Sequence, residues 1–189
     1  METVKQKRKD RNSMKTKIFL IAAAGMFGLA GMAADYHYDF ENSAGNSLPK
    51  GYRQVKDRNY CGGTFEIVNV ECGQLTKAVK VIKPEGKKYV RILMERPKIP
   101  ARAGDRIDFE FFVKGKGKVT VGFYGSNAQS KFNEYGASDI ANQSGEWQKV
   151  TARLNVKKDT TVAVKPFLQS NVPGLMFTGL KVTVSAQGK

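Results

Sequence analysis

The fold is decided by residues 106–124, which read RIDFEFFVKGKGKVTVGFY. Apolar side chains occupy every second position over 107–113 and again over 119–123, and most of the positions between them are polar. A period of two predicts strands that bury one face and expose the other, as in an antiparallel sheet. The Gly-Lys-Gly at 115–117 predicts a turn that folds the second strand back on the first.

The same pattern extends outward from this stretch in both directions. Beyond an N-terminal segment, helical periodicity is nearly absent, and short β-branched and aromatic runs are bounded by Gly, Pro, Asn and Lys. We predict nine strands, at 36–41, 64–70, 78–83, 89–94, 106–114, 118–124, 147–154, 161–168 and 176–184. This number favours an all-β sandwich of two antiparallel sheets. The long connections 42–63 and 125–146 are predicted to be rim loops, which often carry function.

A basic and apolar segment precedes the strands. Lys-Thr-Lys at 15–17 is followed by an apolar run at 18–30 and then by small residues. This order is typical of a secretory signal peptide, so we assign residues 1–34 to an N-terminal signal helix, with Met14 as a second candidate start. The run is shorter than the roughly 20 residues that span a bilayer, so no stable membrane span is expected after cleavage; an uncleaved anchor is the alternative. We expect 35–189 to form a single domain, secreted, periplasmic or on the cell surface.

Positive charge dominates the composition. The 189 residues include 32 Lys and Arg against 17 Asp and Glu, a formal net charge of +15. Seven of these basic and two of these acidic residues precede position 35, which leaves about +10 on the exported part. Because the charges are dispersed and this part is exported, nucleic acid is not expected as a partner. We expect a glycan, possibly an acidic one, with a merely soluble surface as the alternative explanation of the charge.

The chain has two cysteines, Cys61 and Cys72. An exported pair separated by a strand-like segment predicts one disulfide that ties a hairpin or an edge loop; two free thiols are the alternative. Metal binding by the pair is not expected, because no histidine or further cysteine completes a site.

Four stretches resemble a known family. They read YDFE at 38–41, IPARAGDRIDFEFFVKG at 99–115, SGEWQKV at 144–150 and LMFTGLKVTV at 175–184. In their order and spacing they resemble carbohydrate-binding modules with a galactose-binding-like jelly roll, of the type of families 4 and 9. The resemblance implies a jelly-roll β-sandwich and a non-catalytic domain that binds poly- or oligosaccharide.

The same resemblance bears on calcium and on the single tryptophan. Relatives often hold a structural calcium with acidic residues of the opening and closing strands, and here Asp39 and Glu41 could supply oxygen ligands. Thr178 and Gly179 stand where the closing strand usually carries its acid, so we expect no cofactor, with a structural calcium left open. Trp147 resembles the family's core tryptophan, so a packing role is expected for it.

Sugar binding needs flat aromatic platforms beside polar groups. Tyr124 ends an alternating strand on the face opposite the core and leads into the long connection 125–146. The candidate ligand-binding residues are Tyr124, Tyr135, Asn127, Gln129, Tyr89, Arg91, Tyr52 and Arg53. For each of them the alternative is a rim residue that covers the core. Aromatic stacking would supply most of the contact, and basic residues would favour acidic polymers.

Two other functional classes remain open. Binding modules usually assist an enzyme in the same chain, whereas this domain is expected to stand alone. A structural or protein-interaction domain of the envelope is therefore the first alternative. A small hydrolase or lyase is the second, since Asp108 and Glu110 could form a carboxylate pair. These two side chains share the outer face of one strand, which favours solvated surface residues, and we predict that the chain is not an enzyme.

Overall fold

The computed structural model describes residues 33–57, 59–83 and 88–186, without the side chain of Lys83. Within these residues the chain forms strands and no helix. The strands are β1 (Ala34–Tyr38), β2 (Tyr52–Val55), β3 (Thr64–Cys72), β4 (Leu75–Lys83), β5 (Val90–Met94), β6 (Ile99–Pro100), β7 (Arg106–Lys114), β8 (Gly117–Ser126), β9 (Phe132–Asn142), β10 (Gln148–Asn155), β11 (Ala163–Ser170) and β12 (Met176–Ser185). The predicted signal helix lies almost entirely outside the described residues. None of the described part is a helix long and apolar enough to cross a membrane.

The strands form two antiparallel sheets that pack face to face. The first sheet has the order β10-β7-β12-β4-β3, and β1 also pairs with β12. The second sheet has the order β2-β5-β11-β8-β9, and β6 also pairs with β11. In the first sheet Ala34 pairs with Val184, so the described chain enters and leaves at neighbouring points. The predicted all-β sandwich of two antiparallel sheets is confirmed.

The core lies between the two sheets and consists of the alternating residues that the sequence singles out. The alternating apolar side chains, Ile107, Phe109, Phe111 and Val113 in β7 and Val119, Val121 and Phe123 in β8, are all buried and belong to one hydrophobic cluster. Polar residues of β7 face the opposite side of their strand. The period of two therefore fixes which face of β7 and of β8 is inward.

The turn at 115–117 does not make the predicted hairpin. It reverses the chain, but β7 lies in the first sheet and β8 in the second. Each strand is hydrogen-bonded on both sides by others, so their apolar faces meet across the core instead of their edges. Gly117 has a φ of +141°, and a Cβ there would lie 2.8 Å from Cγ2 of Val172, so the crossing needs glycine.

Both predicted rim loops contain a strand. β9 occupies half of 125–146 and β2 lies within 42–63. Each is an edge strand of the second sheet, and exposed and half-buried residues alternate along most of β9. A half-exposed edge strand needs few β-branched residues, which is why the composition of β9 resembles a loop.

The two cysteines do not form the predicted disulfide. Both are buried free thiols. Cys72 ends β3 in the first sheet, whereas Cys61 pairs with Tyr89 beside the second sheet, so the fold places the cysteines on different sheets. Burial raises the pKa of the Cys61 thiol to about 11.

Candidate functional site

A row of polar side chains crosses four strands on the outer face of the second sheet. Gln169 of β11 is paired with Arg91 of β5 on one side and with Thr120 of β8 on the other. Thr120 is in turn paired with Asp139 of β9. Since Val121 points into the core, its neighbour Thr120 and the rest of this row face outward.

A second row, two residues further along, is apolar. Phe167 of β11 is paired with Leu93 of β5 and with Gly122 of β8. A Cβ at Gly122 would lie 2.3 Å from the carbonyl oxygen of Gly136 and 2.6 Å from Cζ of Phe167. The missing side chain at position 122 is therefore what allows the Phe167 ring to lie across the sheet.

A third row, two residues further along β8, places two tyrosines over the Phe167 ring. Tyr124 of β8 is paired with Tyr135 of β9. Tyr135 stacks on Phe167 with ring centroids 5.6 Å apart and planes 17° apart, and Tyr124 lies 5.4 Å from both of the other rings. Tyr135 is still 51% exposed, and burial of the remainder raises its pKa. The rings form a floor with one face open to solvent.

Arg91 is held above this floor. Its Nε donates to Oε1 of Gln169 at 2.5 Å, and its Nη1 donates to the hydroxyl of Tyr124. The guanidinium carbon lies 4.6 Å from the centroid of Phe167, a cation–π distance. Arg91 is only 8% exposed, yet no ion pair among the described residues includes it. Within the described part of the chain it is therefore a fixed cation that no carboxylate contacts directly.

The polar row and the two tyrosines line a depression of about 570 Å³ on the outer face of the second sheet, which we call the cleft. Four predicted binding residues meet there, namely Tyr89, Arg91, Tyr124 and Tyr135. Sequence reasoning missed Asp57, Tyr60, Thr120, Ala137 and Asp139, and Gln169 completes the lining. Most of these could have been found only from the register of β8, β9 and β11.

One wall of the cleft is a tight turn built on Asp57. Its Oδ1 accepts the backbone N–H groups of Tyr60 at 2.5 Å, Asn59 at 2.9 Å and Cys61 at 3.3 Å. These bonds, that of Tyr60 above all, hold the pKa of Asp57 below its ordinary value. The turn is joined to Tyr89, whose N–H donates to the carbonyl of Tyr60 at 2.8 Å. Tyr60 is 66% exposed at the mouth of the cleft.

The opposite wall presents a carboxylate. Oδ1 of Asp139 accepts the hydroxyl of Thr120 at 2.5 Å, and its Oδ2 lies 3.0 Å from Nζ of Lys118. The Thr120 bond, followed by Lys118, lowers the pKa of Asp139. The cleft thus offers hydrogen-bond acceptors on both sides of the Arg91 donor.

The remaining predicted residues lie away from the cleft. Tyr52 is half-buried and packs edge-on against Phe40, with ring centroids 5.7 Å apart. Arg53 makes an ion pair with Glu95, Nε to Oε1 at 3.1 Å. Asn127 closes a turn by accepting the N–H of Gln129 and that of Lys131, each at 3.1 Å. The turn leaves Gln129 exposed beside the end of β8.

The carboxylates considered for catalysis lie on the first sheet and are paired with cations. Asp108 lies 2.6 Å from Nε of Arg153 and 2.9 Å from Nε of Arg106. Glu110 lies 2.9 Å from Nζ of Lys149. These contacts agree with the interpretation of both as solvated surface residues.

The residues proposed for calcium accept hydrogen bonds from donors of the protein itself. The carboxylate of Glu41 accepts the N–H of Thr76 at 2.8 Å, the N–H of Lys77 at 3.1 Å and the Thr76 hydroxyl. Oδ1 of Asp39 accepts the N–H of Glu41. Over the described part of the chain, no three acidic, histidine or cysteine side chains converge as metal ligands would. The expected absence of a cofactor stays a prediction.

Trp147 does not pack in the core. It is half-buried just before β10 and lines an open groove of about 790 Å³ on the first sheet. Val68, Val70 and Met176 line the same groove. The expected packing role is therefore corrected: the ring covers the outer face of the sheet.

Comparison with known proteins identifies the fold. No family model matches the chain, and no curated protein matches its sequence. It is similar to the xylan-binding domain CBM22-2 of Paenibacillus barcinonensis Xyn10C, with a TM-score of 0.53 and 12% identity over 78% of this chain and 98% of that domain. The CBM22-1–CBM22-2 tandem of the same protein matches with a TM-score of 0.53 and 12% identity, over 78% of this chain and 49% of the tandem.

An arabinose-bound α-L-arabinofuranosidase, MgGH51, matches with a TM-score of 0.56 and 12% identity over 77% of this chain. The chain spans only 25% of that enzyme. At such identity these likenesses concern the fold. They confirm the jelly-roll sandwich and the resemblance to carbohydrate-binding modules, while the subtype of families 4 and 9 stays a prediction.

Proposed function

We propose that this chain is an exported, non-catalytic domain that binds a poly- or oligosaccharide in the cleft of the second sheet. The observation that carries the proposal is the meeting of exposed tyrosine rings, a fixed guanidinium and carboxylate acceptors in one open cleft. Carbohydrate sites combine aromatic faces with a few well-placed polar groups in this way.

Each wall has a part in the mechanism. The rings of Tyr60 and Tyr135 would stack on the C–H faces of sugar rings. Arg91 has five N–H donors, of which some remain for hydroxyl groups, while Asp57 and Asp139 accept. Because Arg91 is already held by Gln169 and Tyr124, little side-chain entropy is lost on binding.

The cleft carboxylates support binding rather than catalysis. A glycosidase needs one carboxylic acid whose pKa is raised so that it can donate a proton. Asp57 and Asp139 both have lowered pKa values, so both are acceptors at neutral pH. Export, and with it a location outside the cytoplasm, rests on the signal peptide expected from the sequence.

The proposal is tested by affinity electrophoresis of the chain from Ala34 in gels that contain xylan, other neutral polysaccharides or acidic ones. Xylan comes first because the similar CBM22-2 is a xylan-binding domain. We expect retention in at least one gel and weaker retention for Tyr124→Ala, with Trp147→Ala on the other sheet as the matched control. No retention across the panel would refute the proposal.

A second candidate is an envelope domain that binds a protein. The groove around Trp147 favours it, because the Trp147 ring lies there with Val68 and Met176 among charged side chains, on the sheet opposite the cleft. A purified envelope protein that loses binding to Trp147→Ala but keeps binding to Tyr124→Ala would support this candidate.

A further inference from the structure

A second groove, of about 490 Å³, continues from the cleft. Both are lined by Tyr124 and Tyr135, so the two rings separate them. Beyond the rings this second groove is lined by Phe132, Glu134, Lys157 and Lys158, and we call it the basic groove. A ligand longer than the cleft can therefore pass over the tyrosines into it.

The basic groove has its own aromatic surface. Phe132 is 52% exposed, and its ring centroid lies 5.0 Å from that of Tyr124. Tyr135 lies 5.4 Å from Tyr124 on the other side. Aromatic rings thus extend from the cleft into the groove, with the half-buried Tyr124 between the exposed Phe132 and Tyr135, and these rings offer faces on which sugar units could stack.

The cleft and the basic groove differ in charge. In the basic groove Lys157 and Lys158 are exposed, and Nζ of Lys165 lies 5.0 Å from the Phe132 centroid. No ion pair among the residues that the structure describes involves these three lysines. Among the described residues that line the groove, Glu134 is the one carboxylate, so the lysines leave positive charge in excess there.

Glu134 is already occupied by neutral donors. Its Oε1 accepts the backbone N–H of Lys157 at 2.8 Å, and its Oε2 accepts the Thr161 hydroxyl at 3.0 Å and the N–H of Lys158 at 3.3 Å. The side chain is therefore held against the backbone of 157–158. The ammonium groups of the two lysines are left to meet a ligand.

The cleft has the opposite balance, since Arg91 is accompanied there by Asp57 and Asp139. We propose that the basic groove binds an anionic sugar unit, one that carries a carboxylate or a sulfate ester, of a glycan whose neutral units lie in the cleft. This rests on the proposed function. The pyranose face would lie on Phe132 and the anionic group beside Lys157 and Lys158.

The test compares a uronate-bearing xylan with the same polymer after its carboxyl groups have been reduced to alcohols, by titration calorimetry at low salt. We expect the acidic form to bind about fivefold more tightly, as two exposed ion pairs would produce. The variant Lys157→Gln/Lys158→Gln should lose this preference and still bind the reduced polymer as the wild type does.

The matched control is Lys50→Gln/Lys116→Gln. It removes the same charge from exposed lysines elsewhere, one before β2 at the opposite edge of the second sheet and one in the turn that precedes β8. The control should keep the preference. Equal binding of the acidic, the reduced and a sulfated xylan to the wild type, or equal losses in both double variants, would overturn the inference and leave the proposed function standing.

Failure of both polymers to bind, together with every glycan of the panel, would instead overturn the proposed function and this inference with it. A sulfated xylan forms a third arm. Tighter binding of this polymer, lost in Lys157→Gln/Lys158→Gln alone, would support the inference and identify the anionic group as a sulfate ester.

Discussion

Tyr135 stacks on Phe167 with their ring centroids 5.6 Å apart, on the side of the second sheet that faces away from the core. Phe167 is fully buried there although it contributes nothing to the interior between the sheets. The outer face of the sheet therefore has a small apolar layer of its own. That layer gives the candidate site a rigid base.

Gly122→Ala should destabilise the protein and weaken glycan binding. The new Cβ would meet the Gly136 carbonyl oxygen and the Phe167 ring at distances that atoms cannot adopt, so the sheet or the ring must move. We expect a loss of about 1–3 kcal/mol in the free energy of unfolding, measured by urea denaturation. Gly145→Ala, where a Cβ would meet nothing within 4 Å, is the control. Equal stability of the two variants would contradict the packing described.

Arg91→Lys should weaken binding about tenfold, because an ammonium group cannot reproduce the planar fork that contacts Gln169 and Tyr124 while lying over Phe167. Calorimetry with the polysaccharide that the wild type retains measures the effect. Arg53→Lys makes the same change at an ion pair outside the cleft and should bind as the wild type does. Unchanged affinity of Arg91→Lys would remove Arg91 from the site.

Asp57→Ala should weaken binding through the wall of the cleft. Three backbone N–H groups would lose their acceptor, so Tyr60 would no longer be fixed at the mouth. Asp57→Asn keeps an acceptor oxygen and should bind within about twofold of the wild type. If both variants lose affinity equally, the charge of Asp57 acts on the ligand directly, and the turn is not its main contribution.

Binding should be insensitive to pH across the neutral range. The folded pKa values of Asp57 and Asp139 are depressed, so both side chains are charged at any pH above the pKa that they have in the unfolded chain. Their stabilising contribution is complete there and is lost only as the pH falls through the lower, folded pKa values. Affinity should therefore stay level from about pH 8 to pH 5 and fall below about pH 4. A bell-shaped profile centred on mild acid would instead indicate a proton-transferring pair.

The two thiols should be unreactive in the folded protein. Burial raises the pKa of Cys72 and brings that of Cys61 to about 11, so little thiolate forms near neutral pH. A thiol reagent added to non-reduced protein should report almost no thiol before denaturation and two afterwards. Absence of thiols in the denatured protein would show that a disulfide had formed after all.

Much of the fold could be predicted from alternation alone. A period of two shows which side chains of β7 and β8 face inward, but it carries no information on which strands become neighbours. That is why the turn at 115–117 was expected to make a hairpin and instead joins the two sheets. β9 escaped prediction because an edge strand can form with few β-branched residues, and Ile140 is the one such residue in β9.

The candidate site was only partly predictable for a similar reason. Tyr124 and Arg91 could be placed on outer faces from their own strands. Their meeting with Asp139 depends on the register between β8 and β9, which no local pattern encodes. Asp57 and Tyr60 belong to a turn of common composition, and Tyr52 resembles a rim aromatic until its ring is seen packed against Phe40.

The pairing of Ala34 with Val184 has a practical consequence for how this domain can be displayed. Both ends of the described chain lie side by side on the first sheet, whereas the cleft and the basic groove are on the second. A tether added at either end, or a host protein into which the domain is inserted, would thus be attached at the first sheet. The surface that carries the cleft and the basic groove would remain open to the surroundings.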